Sequence, residues 1–257
     1  MDNIKSKTEK KSFAVSIRNV SYSYDDNRKA LEDIAFDIYR GETIAFIGPN
    51  GAGKSTLLSL LNGVRKCDGE IYISGILICK DTMSKIRSLV GLVFQNPDDQ
   101  LFCPTIFEDV IFGPLNQGLS KEEAAKKVVE ALHEVGLPGY ESRSSFHLSY
   151  GERKLASIAT VLAMSPDIIA LDEPTSNLDP CHRRKIINWI KRNRNKTIVI
   201  ATHDLDMVAE TCNRVHILNY GKIVTSGKTK EILTNADLLV KNGLELPLSL
   251  QKAGFLN

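Results

Sequence analysis

Hydrophobic positions in the first part of the chain follow the period of two that is typical of β-strands. Residues 15–24 and 30–39 alternate in this way, and a polar Asp-Asp-Asn turn separates them. They predict two strands of a small, mostly antiparallel sheet. The apolar run at 43–47 predicts a short buried strand, and residues 71–73 predict another.

Later segments change to the period of amphipathic helices. Residues 120–135 predict a helix that begins with a capping box, because Glu123 follows Ser120 after three residues. Pro180 predicts the first turn of a helix that runs to about residue 192. The other predicted elements are the helix 151–164, one short helix after residue 229, and the strands 89–94, 168–171, 197–201 and 215–218.

Strands that alternate with helices predict an α/β fold with a mostly parallel sheet. The stretch from about 96 to 165 is largely helical and interrupts this alternation, so we predict an inserted α-helical subdomain there. The predicted organisation is a flexible N-terminal tail at 1–12, a main domain at 13–228 and a C-terminal extension at 229–257.

Composition excludes some classes of protein. A formal net charge of +2 provides no strong basic field, so nucleic acid is not an expected partner. The five cysteines and five histidines lack the spacing of a zinc site, and scattered cysteines are typical of reduced thiols in a cytosolic protein. The longest apolar runs have only the length of strands, so any work at a membrane is expected to occur from its surface through partners.

Residues 48–55 contain a complete G-x-x-x-x-G-K-S/T phosphate loop between a predicted buried strand and a predicted helix. Glycines let backbone N–H groups surround an anion, Lys54 supplies a positive charge, and Ser55 offers a hydroxyl to Mg²⁺. The motif predicts the core of a P-loop NTPase, and a glycine-rich turn between a strand and a helix is the less favoured alternative. The residues predicted to bind ATP in this segment are Gly48, Pro49, Asn50, Gly51, Ala52, Gly53, Lys54, Ser55 and Thr56.

Two carboxylates, Asp172 and Glu173, end the predicted strand at 168–171. We expect Asp172 to hold Mg²⁺ and Glu173 to polarise the attacking water. A pair of helix-capping acids before Pro174 is the structural alternative, and the phosphate loop upstream makes it weaker.

A second candidate anion site lies at the start of the predicted helix 151–164. Ser149 and Gly151 offer a hydroxyl, free backbone N–H groups and the positive end of a helix dipole. The chain already has a phosphate loop far upstream, so a second site makes sense if it serves the nucleotide of another subunit. We therefore predict a dimer that closes over ATP.

Taken together, these motifs resemble the ATPase subunit of ATP-binding cassette (ABC) transporters, over about residues 13–228. The resemblance implies a signature motif in which Ser149, Gly151 and Glu152 face the ATP of the opposing subunit. It also implies that Asp179 lies at the dimer interface.

The same resemblance implies three roles at the chain's own ATP. Tyr24 would stack on the adenine, with Tyr22 as the competing aromatic. Gln95 would contact Mg²⁺ and the attacking water and sense the membrane partner. His203 would hold the γ-phosphate and the water.

The signature departs from the usual pattern at two positions. Tyr150 replaces the first of two glycines, and Glu152 replaces a glutamine. A requirement for positive φ would strain Tyr150. We expect the position to tolerate a side chain, so that the phosphate contacts are made by Ser149 and Gly151. Asn177 stands where a small residue is common, and the sequence offers no reason for it.

A narrower resemblance lies in residues 93–102 (VFQNPDDQLF), together with 108–110 and 112–114. These segments resemble the ATPases of energy-coupling factor importers, the CbiO-type group. That resemblance implies uptake of a transition metal ion (cobalt or nickel) or a vitamin. Residues 244–250 resemble the cobalt/nickel branch. The metal cargo would not bind this chain.

The narrower resemblance also implies partners and a location. The partners would be a second copy or a sister ATPase, an integral membrane coupling subunit and a substrate-capturing membrane subunit. Asp98 and Asp99 are expected to meet basic side chains of the membrane subunit. The chain would act at the cytoplasmic face of the cell membrane as a peripheral protein.

Three other functions stay open at this point. A soluble, non-transport cassette ATPase is disfavoured because the chain has one cassette and no sustained heptads. A kinase or GTPase with the same loop is disfavoured by the Ser149 motif and the strand-end Asp-Glu pair. A nucleotide-sensing scaffold with feeble hydrolysis is left open by Tyr150.

Overall fold

The computed structural model describes residues 12–251. The predicted N-terminal tail lies outside the described residues except for Ser12, and so does the end of the predicted C-terminal extension. The strands are β1 Phe13–Ser23, β2 Lys29–Tyr39, β3 Thr43–Ile47, β4 Asp68–Ile73, β5 Ile76–Leu77, β6 Val90–Val93, β7 Ile168–Asp172, β8 Thr197–Ala201, β9 Arg214–Asn219 and β10 Lys222–Lys228. The α-helices are α1 Lys54–Leu61, α2 Met83–Leu89, α3 Ile106–Asn116, α4 Lys121–Glu134, α5 Tyr150–Leu162, α6 Pro180–Arg192, α7 Leu205–Thr211, α8 Thr229–Leu233 and α9 Ala236–Lys241.

Two sheets organise the molecule. The larger has the order β10-β9-β3-β8-β7-β6, in which all neighbours are parallel except the antiparallel pair β10 and β9. The smaller has the order β2-β1-β4-β5 and is antiparallel throughout. The predicted α/β fold with a separate antiparallel sheet is therefore confirmed.

Successive side chains of the large sheet point to opposite faces and pack into two apolar cores. Ile44 and Phe46 face the core shared with α1 and the small sheet, whereas Ala45 and Ile47 face the core shared with α3 to α7. All five residues of β3 are buried, which explains why this strand is a continuous apolar run rather than an alternating one.

Helices α3, α4 and α5 pack against one another in the region predicted to be an inserted helical subdomain. Helix α4 has the predicted capping box: the Ser120 hydroxyl accepts from the Glu123 N–H, and the Glu123 carboxylate accepts from the Ser120 N–H. The prediction of one short helix from residue 229 onward is wrong, because the described part of this tail, up to residue 251, contains two α-helices, α8 and α9. Within residues 12–251, no helix combines the length and apolar character needed to cross a bilayer.

Candidate nucleotide-binding site

A polar cleft of about 470 Å³ opens at the carboxyl ends of the parallel strands, which is where ligands gather in α/β sheets. The sequence predicts most of its walls. The lining residues are Tyr24, Arg28, Lys29, Ala30, Asn50, Gly51, Ala52, Gly53, Lys54, Ser55, Thr56, Gln95, Glu173, Ser176, Asn177 and His203.

The phosphate loop packs too closely against its neighbours to accept side chains at two of its glycines. A Cβ on Gly48 would lie 2.0 Å from the carbonyl oxygen of Leu218, and one on Gly53 would lie 2.6 Å from that of Ala30. Gly53 also has φ of 103°, a conformation that L side chains rarely adopt. The loop is therefore built as a tight backbone cradle, as the motif predicts.

Lys54 extends back over this cradle. Its ammonium donates to the carbonyl of Gly48 at 2.8 Å and to that of Pro49 at 3.1 Å. Burial lowers the pKa of Lys54, and the nearby carboxylates of Glu173 and Asp172 oppose this shift. The two carbonyl oxygens carry only partial negative charge. A phosphate group bound in the cradle would provide this buried ammonium with a full opposite charge.

Ser55 and Asp172 meet across the base of the cleft. The Ser55 hydroxyl donates to Asp172 Oδ1 at 2.9 Å. Burial raises the pKa of Asp172, while this hydrogen bond lowers it. The pair brings a hydroxyl and a carboxylate together beside the phosphate loop, and these oxygen donors are the kind that Mg²⁺ prefers.

Glu173 is nearly buried and accepts several hydrogen bonds. Ser176 and Thr202 donate their hydroxyls to Oε2 at 3.0 and 2.9 Å, and His203 Nδ1 lies 2.9 Å from Oε1. The residue predicted to polarise water and the residue predicted to hold the γ-phosphate are thus in direct contact. The backbone of Glu173 has φ of 42°, which is uncommon for a residue other than glycine.

Of the two candidate aromatics, Tyr24 lines the cleft and Tyr22 does not. The Tyr24 hydroxyl is 2.7 Å from Thr56 Oγ1 in α1, and the guanidinium of Arg28 lies 4.9 Å from the centre of the ring. Tyr22 instead packs edge-on against Tyr24 and accepts a hydrogen bond from Arg65. The geometry favours Tyr24 as the ring that a base would contact.

The residues predicted to face the opposing subunit do not line this cleft. Ser149 is the N-cap of α5, and Glu152 completes a capping box with it. The Glu152 carboxylate also accepts from the hydroxyl of Tyr140 at 2.7 Å, and this hydrogen bond is the largest cause of its lowered pKa. Glu152 therefore works within its own chain, whereas the Ser149 side chain lies at an exposed helix start.

Gly151 and Asp179 both contact His182, near the start of α6. A Cβ on Gly151 would lie 2.4 Å from the imidazole, so the glycine permits close approach of the two helices. Asp179 accepts from the N–H groups of Cys181 and His182, and its second oxygen meets the His182 ring. Neither Asp179 nor His182 lines the cleft.

Tyr150 begins α5 without positive φ, so the expectation that this position tolerates a side chain is confirmed. Five residues of the cleft were not predicted from the sequence: Arg28, Lys29, Ala30, Ser176 and Asn177. Asn177 has φ of 61°, a conformation that asparagine adopts more readily than most residues, which supplies the missing reason for its presence.

Comparisons with known proteins identify the family to which the chain is similar. A family model described as "ABC transporter" matches residues 31–176. The energy-coupling factor transporter ATP-binding protein EcfA of Methanothermobacter thermautotrophicus is 45% identical over 252 residues, covering 94% of this chain and 81% of the relative.

Solved structures show the same fold. The cbiO1 protein from Clostridium perfringens, described as part of the ABC transporter complex cbiONQ, has a TM-score of 0.79 and 35% identity, covering 90% of this chain and 94% of its own. The cassette MJ0796, solved as a dimer in a post-hydrolysis state with ADP and Pi, has a TM-score of 0.76 and 30% identity, covering 84% and 98%.

The parallel sheet and the phosphate cradle at its edge place the chain in the class of P-loop nucleotide hydrolases. The family model and the relatives narrow this further. The chain belongs to the ABC transporter family, and it is an ABC-type ATPase, as its sequence predicts.

Proposed function

We propose that this chain is the ATPase subunit of an energy-coupling factor importer and that it powers uptake of a transition metal ion, cobalt or nickel. The likeness to EcfA and to cbiO1 supports the type of transporter. The cargo rests on the resemblance of residues 244–250 to the cobalt/nickel branch. A vitamin carried by the same machine is the alternative.

The single observation that carries the ATPase mechanism is the position of Ser149. The cleft contains the phosphate loop, Gln95, Glu173 and His203, yet no residue of 148–152 lines it. A helix N-terminus with an exposed hydroxyl is suited to an anion, and the cleft of a second subunit contains one. We propose that Ser149 and Gly151 complete the ATP site of a facing subunit and that Asp179 lies at the same interface.

Within its own cleft the chain supplies the groups that hydrolysis needs. Lys54 and the loop backbone hold the phosphates, and Tyr24 lies against the base. Glu173 accepts the proton of the attacking water once its oxygen is released from His203, and His203 then holds the γ-phosphate. Ser55, Asp172 and Gln95 would hold Mg²⁺, which would neutralise charge on the phosphates.

An exposed aromatic pair lies in the segment that follows Gln95 in the chain. Phe102 and Phe112 are exposed over 67% and 52% of their surface and contact each other edge-on at 5.5 Å. Exposed aromatics of this kind mark interaction sites. Asp98 already pairs with Arg153 of its own chain at 3.0 Å, so of the acidic pair Asp99 is the residue more available to a partner. We propose that this surface docks the subunit at the cytoplasmic face of the membrane as a peripheral protein.

The test is transport by a reconstituted complex. We expect the chain to co-purify with integral membrane subunits and to drive ATP-dependent uptake of labelled cobalt or nickel into vesicles. A Lys54→Ala complex is the matched control and should show background uptake. Uptake of a labelled vitamin without uptake of metal would select the alternative cargo. Full ATPase activity without any membrane partner would favour the non-transport ATPase.

A further inference from the structure

Lys154 in α5 is a charged side chain that the mechanism above does not use. Its surface is 0% exposed. Its ammonium donates to the carbonyl oxygens of Phe94 and Gln95, each at 2.8 Å, and is 3.3 Å from that of Asp172. The three donors of one ammonium thus converge on the carboxyl ends of β6 and β7.

Other contacts tie the same loop to the same helix. Gln100 accepts from the Phe94 N–H at 3.1 Å and donates to the Ser157 carbonyl at 2.8 Å and the Thr160 hydroxyl at 2.7 Å. The Tyr150 hydroxyl lies 3.4 Å from the Gln95 carbonyl. The loop from 94 to 100 is therefore held along almost three turns of α5, from Tyr150 to Thr160.

Burial of an ammonium group carries a large desolvation cost, so it is not needed merely to hold a helix against a strand. Removing a charged group from water costs several kcal/mol, and apolar side chains of similar volume often stabilise a core at least as well. Lys154 instead contacts the backbone at the ends of two neighbouring strands, at Gln95 after β6 and at Asp172 in β7. These contacts fix the geometry of the two strand ends relative to each other.

We propose that Lys154 is a positioning residue for ATP hydrolysis. It fixes the Gln95 loop relative to Asp172 and Glu173 and joins both to the helix whose first turn carries Ser149. A shift of α5 when a facing subunit closes would then be transmitted to Gln95 through this ammonium. The inference rests on the proposed role of Gln95, and the experiment is designed to separate the two.

The experiment uses the complete transporter complex and the variant Lys154→Met, which removes the three donors and keeps an unbranched side chain. We expect kcat for ATP to fall about tenfold while KM stays within about twofold, because the phosphate loop is untouched. Amide hydrogen exchange at 94–100 should accelerate about tenfold. Lys154→Arg keeps the charge and several donors and should recover most of kcat. Lys185→Met, the same change at an exposed position of α6, should match wild type.

A double-mutant cycle with Gln95→Ala decides whether Lys154 acts through Gln95. We expect Lys154→Met to lower kcat less than about twofold in the Gln95→Ala background. Equal effects in both backgrounds would overturn the inference, and so would wild-type kcat in Lys154→Met. Wild-type kcat in Gln95→Ala would instead contradict the proposed role of Gln95.

If Lys154→Met does not fold, Gln100→Leu removes the second attachment of the 94–100 loop to α5. It should lower kcat with unchanged KM, and full activity would overturn the inference.

Discussion

At the scale of single residues, Glu173 shows how the site is held. It follows directly after β7 in a left-handed conformation, and such strain persists only where surrounding contacts enforce it. Here Ser176, Thr202 and His203 supply those contacts. The carboxylate is therefore held in one place by its own chain, in a position that suits the proposed role of general base.

Glu173→Gln tests this role. The amide has nearly the same shape but cannot accept a proton, so we expect kcat to fall at least about 100-fold while the Kd for ATP changes less than about threefold. Steady-state ATPase assays and titration calorimetry measure the two quantities. Glu210→Gln, a matched change in α7, should leave both intact. Turnover at the wild-type rate in Glu173→Gln would show that another group activates the water.

The sequence predicts residues that lie in contiguous motifs and misses those that meet across the fold. The phosphate loop and the Asp172-Glu173 pair can be assigned because neighbouring residues and element order carry the pattern. Thr202 and Lys154 cannot be assigned in this way, because the contacts that bring them to the site join distant positions. Thr202 is 29 positions from Glu173, and Lys154 is 60 and 59 positions from Phe94 and Gln95. The proposed roles of Tyr24, Gln95 and Asp179 stay predictions.

At the scale of elements, the chain uses one capping motif for two purposes. Helices α4 and α5 both begin with serine at the N-cap and glutamate three residues later, and both pairs form reciprocal hydrogen bonds. In α4 this arrangement satisfies free N–H groups and nothing more is needed. In α5 we propose that the same serine also reaches the phosphate of a facing subunit.

Two matched variants separate these purposes. Ser120→Ala and Ser149→Ala should each lower the free energy of unfolding by about 1 kcal/mol through loss of a cap. Only Ser149→Ala should weaken ATP-dependent dimerisation, with ATP affinity of the monomer nearly unchanged. Urea unfolding and analytical ultracentrifugation with ATP measure the effects. Equal dimerisation in both variants would contradict the composite site.

Helices and strands are predicted best where the periodic segment is long or where a residue such as proline marks its boundary. The helix that opens at Pro180 and the strand at 197–201 agree with α6 and β8. Helices α2 and α7 have seven residues each, too few for a helical period to stand out, and the sequence pattern did not predict them. Helix α3, with 11 residues, was predicted only as part of the helical stretch at 96–165. Strand β10 was missed because its sequence, KIVTSGK, has two adjacent apolar residues and no alternation of apolar and polar positions. The boundaries 96–165, 13–228 and 229–257 stay predictions.

At the scale of the whole molecule, His216 lies where the two sheets meet. The imidazole is 2% exposed and stacks on Phe46 of the large sheet, with Phe36 of the small sheet 5.4 Å away. Its Nδ1 meets Ser226, whereas Nε2 has no hydrogen-bond partner within residues 12–251. Burial, with a smaller contribution from Arg214, lowers the pKa of His216 to about 3.

This histidine makes the fold sensitive to acid. The unfolded chain takes up a proton near pH 6.5, while the folded chain resists protonation down to about pH 3. Stability is therefore present above pH 6.5 and is lost as the pH falls between these values. We expect His216 to account for about 2 kcal/mol of the decrease in unfolding free energy from pH 7 to pH 5.

Urea unfolding at the two pH values measures the effect. His216→Phe should show a smaller decrease than wild type, and His133→Phe, at an exposed position of α4, should retain the wild-type decrease. The same pH dependence in all three proteins would contradict the assignment of a neutral buried imidazole.

The contact between Glu173 and His203 joins the residue that follows β7 to the loop that follows β8. Because each side chain then helps to hold the other, a change at one of them should also disturb its neighbour. We therefore expect His203→Ala to loosen the Glu173 carboxylate as well as to remove the imidazole.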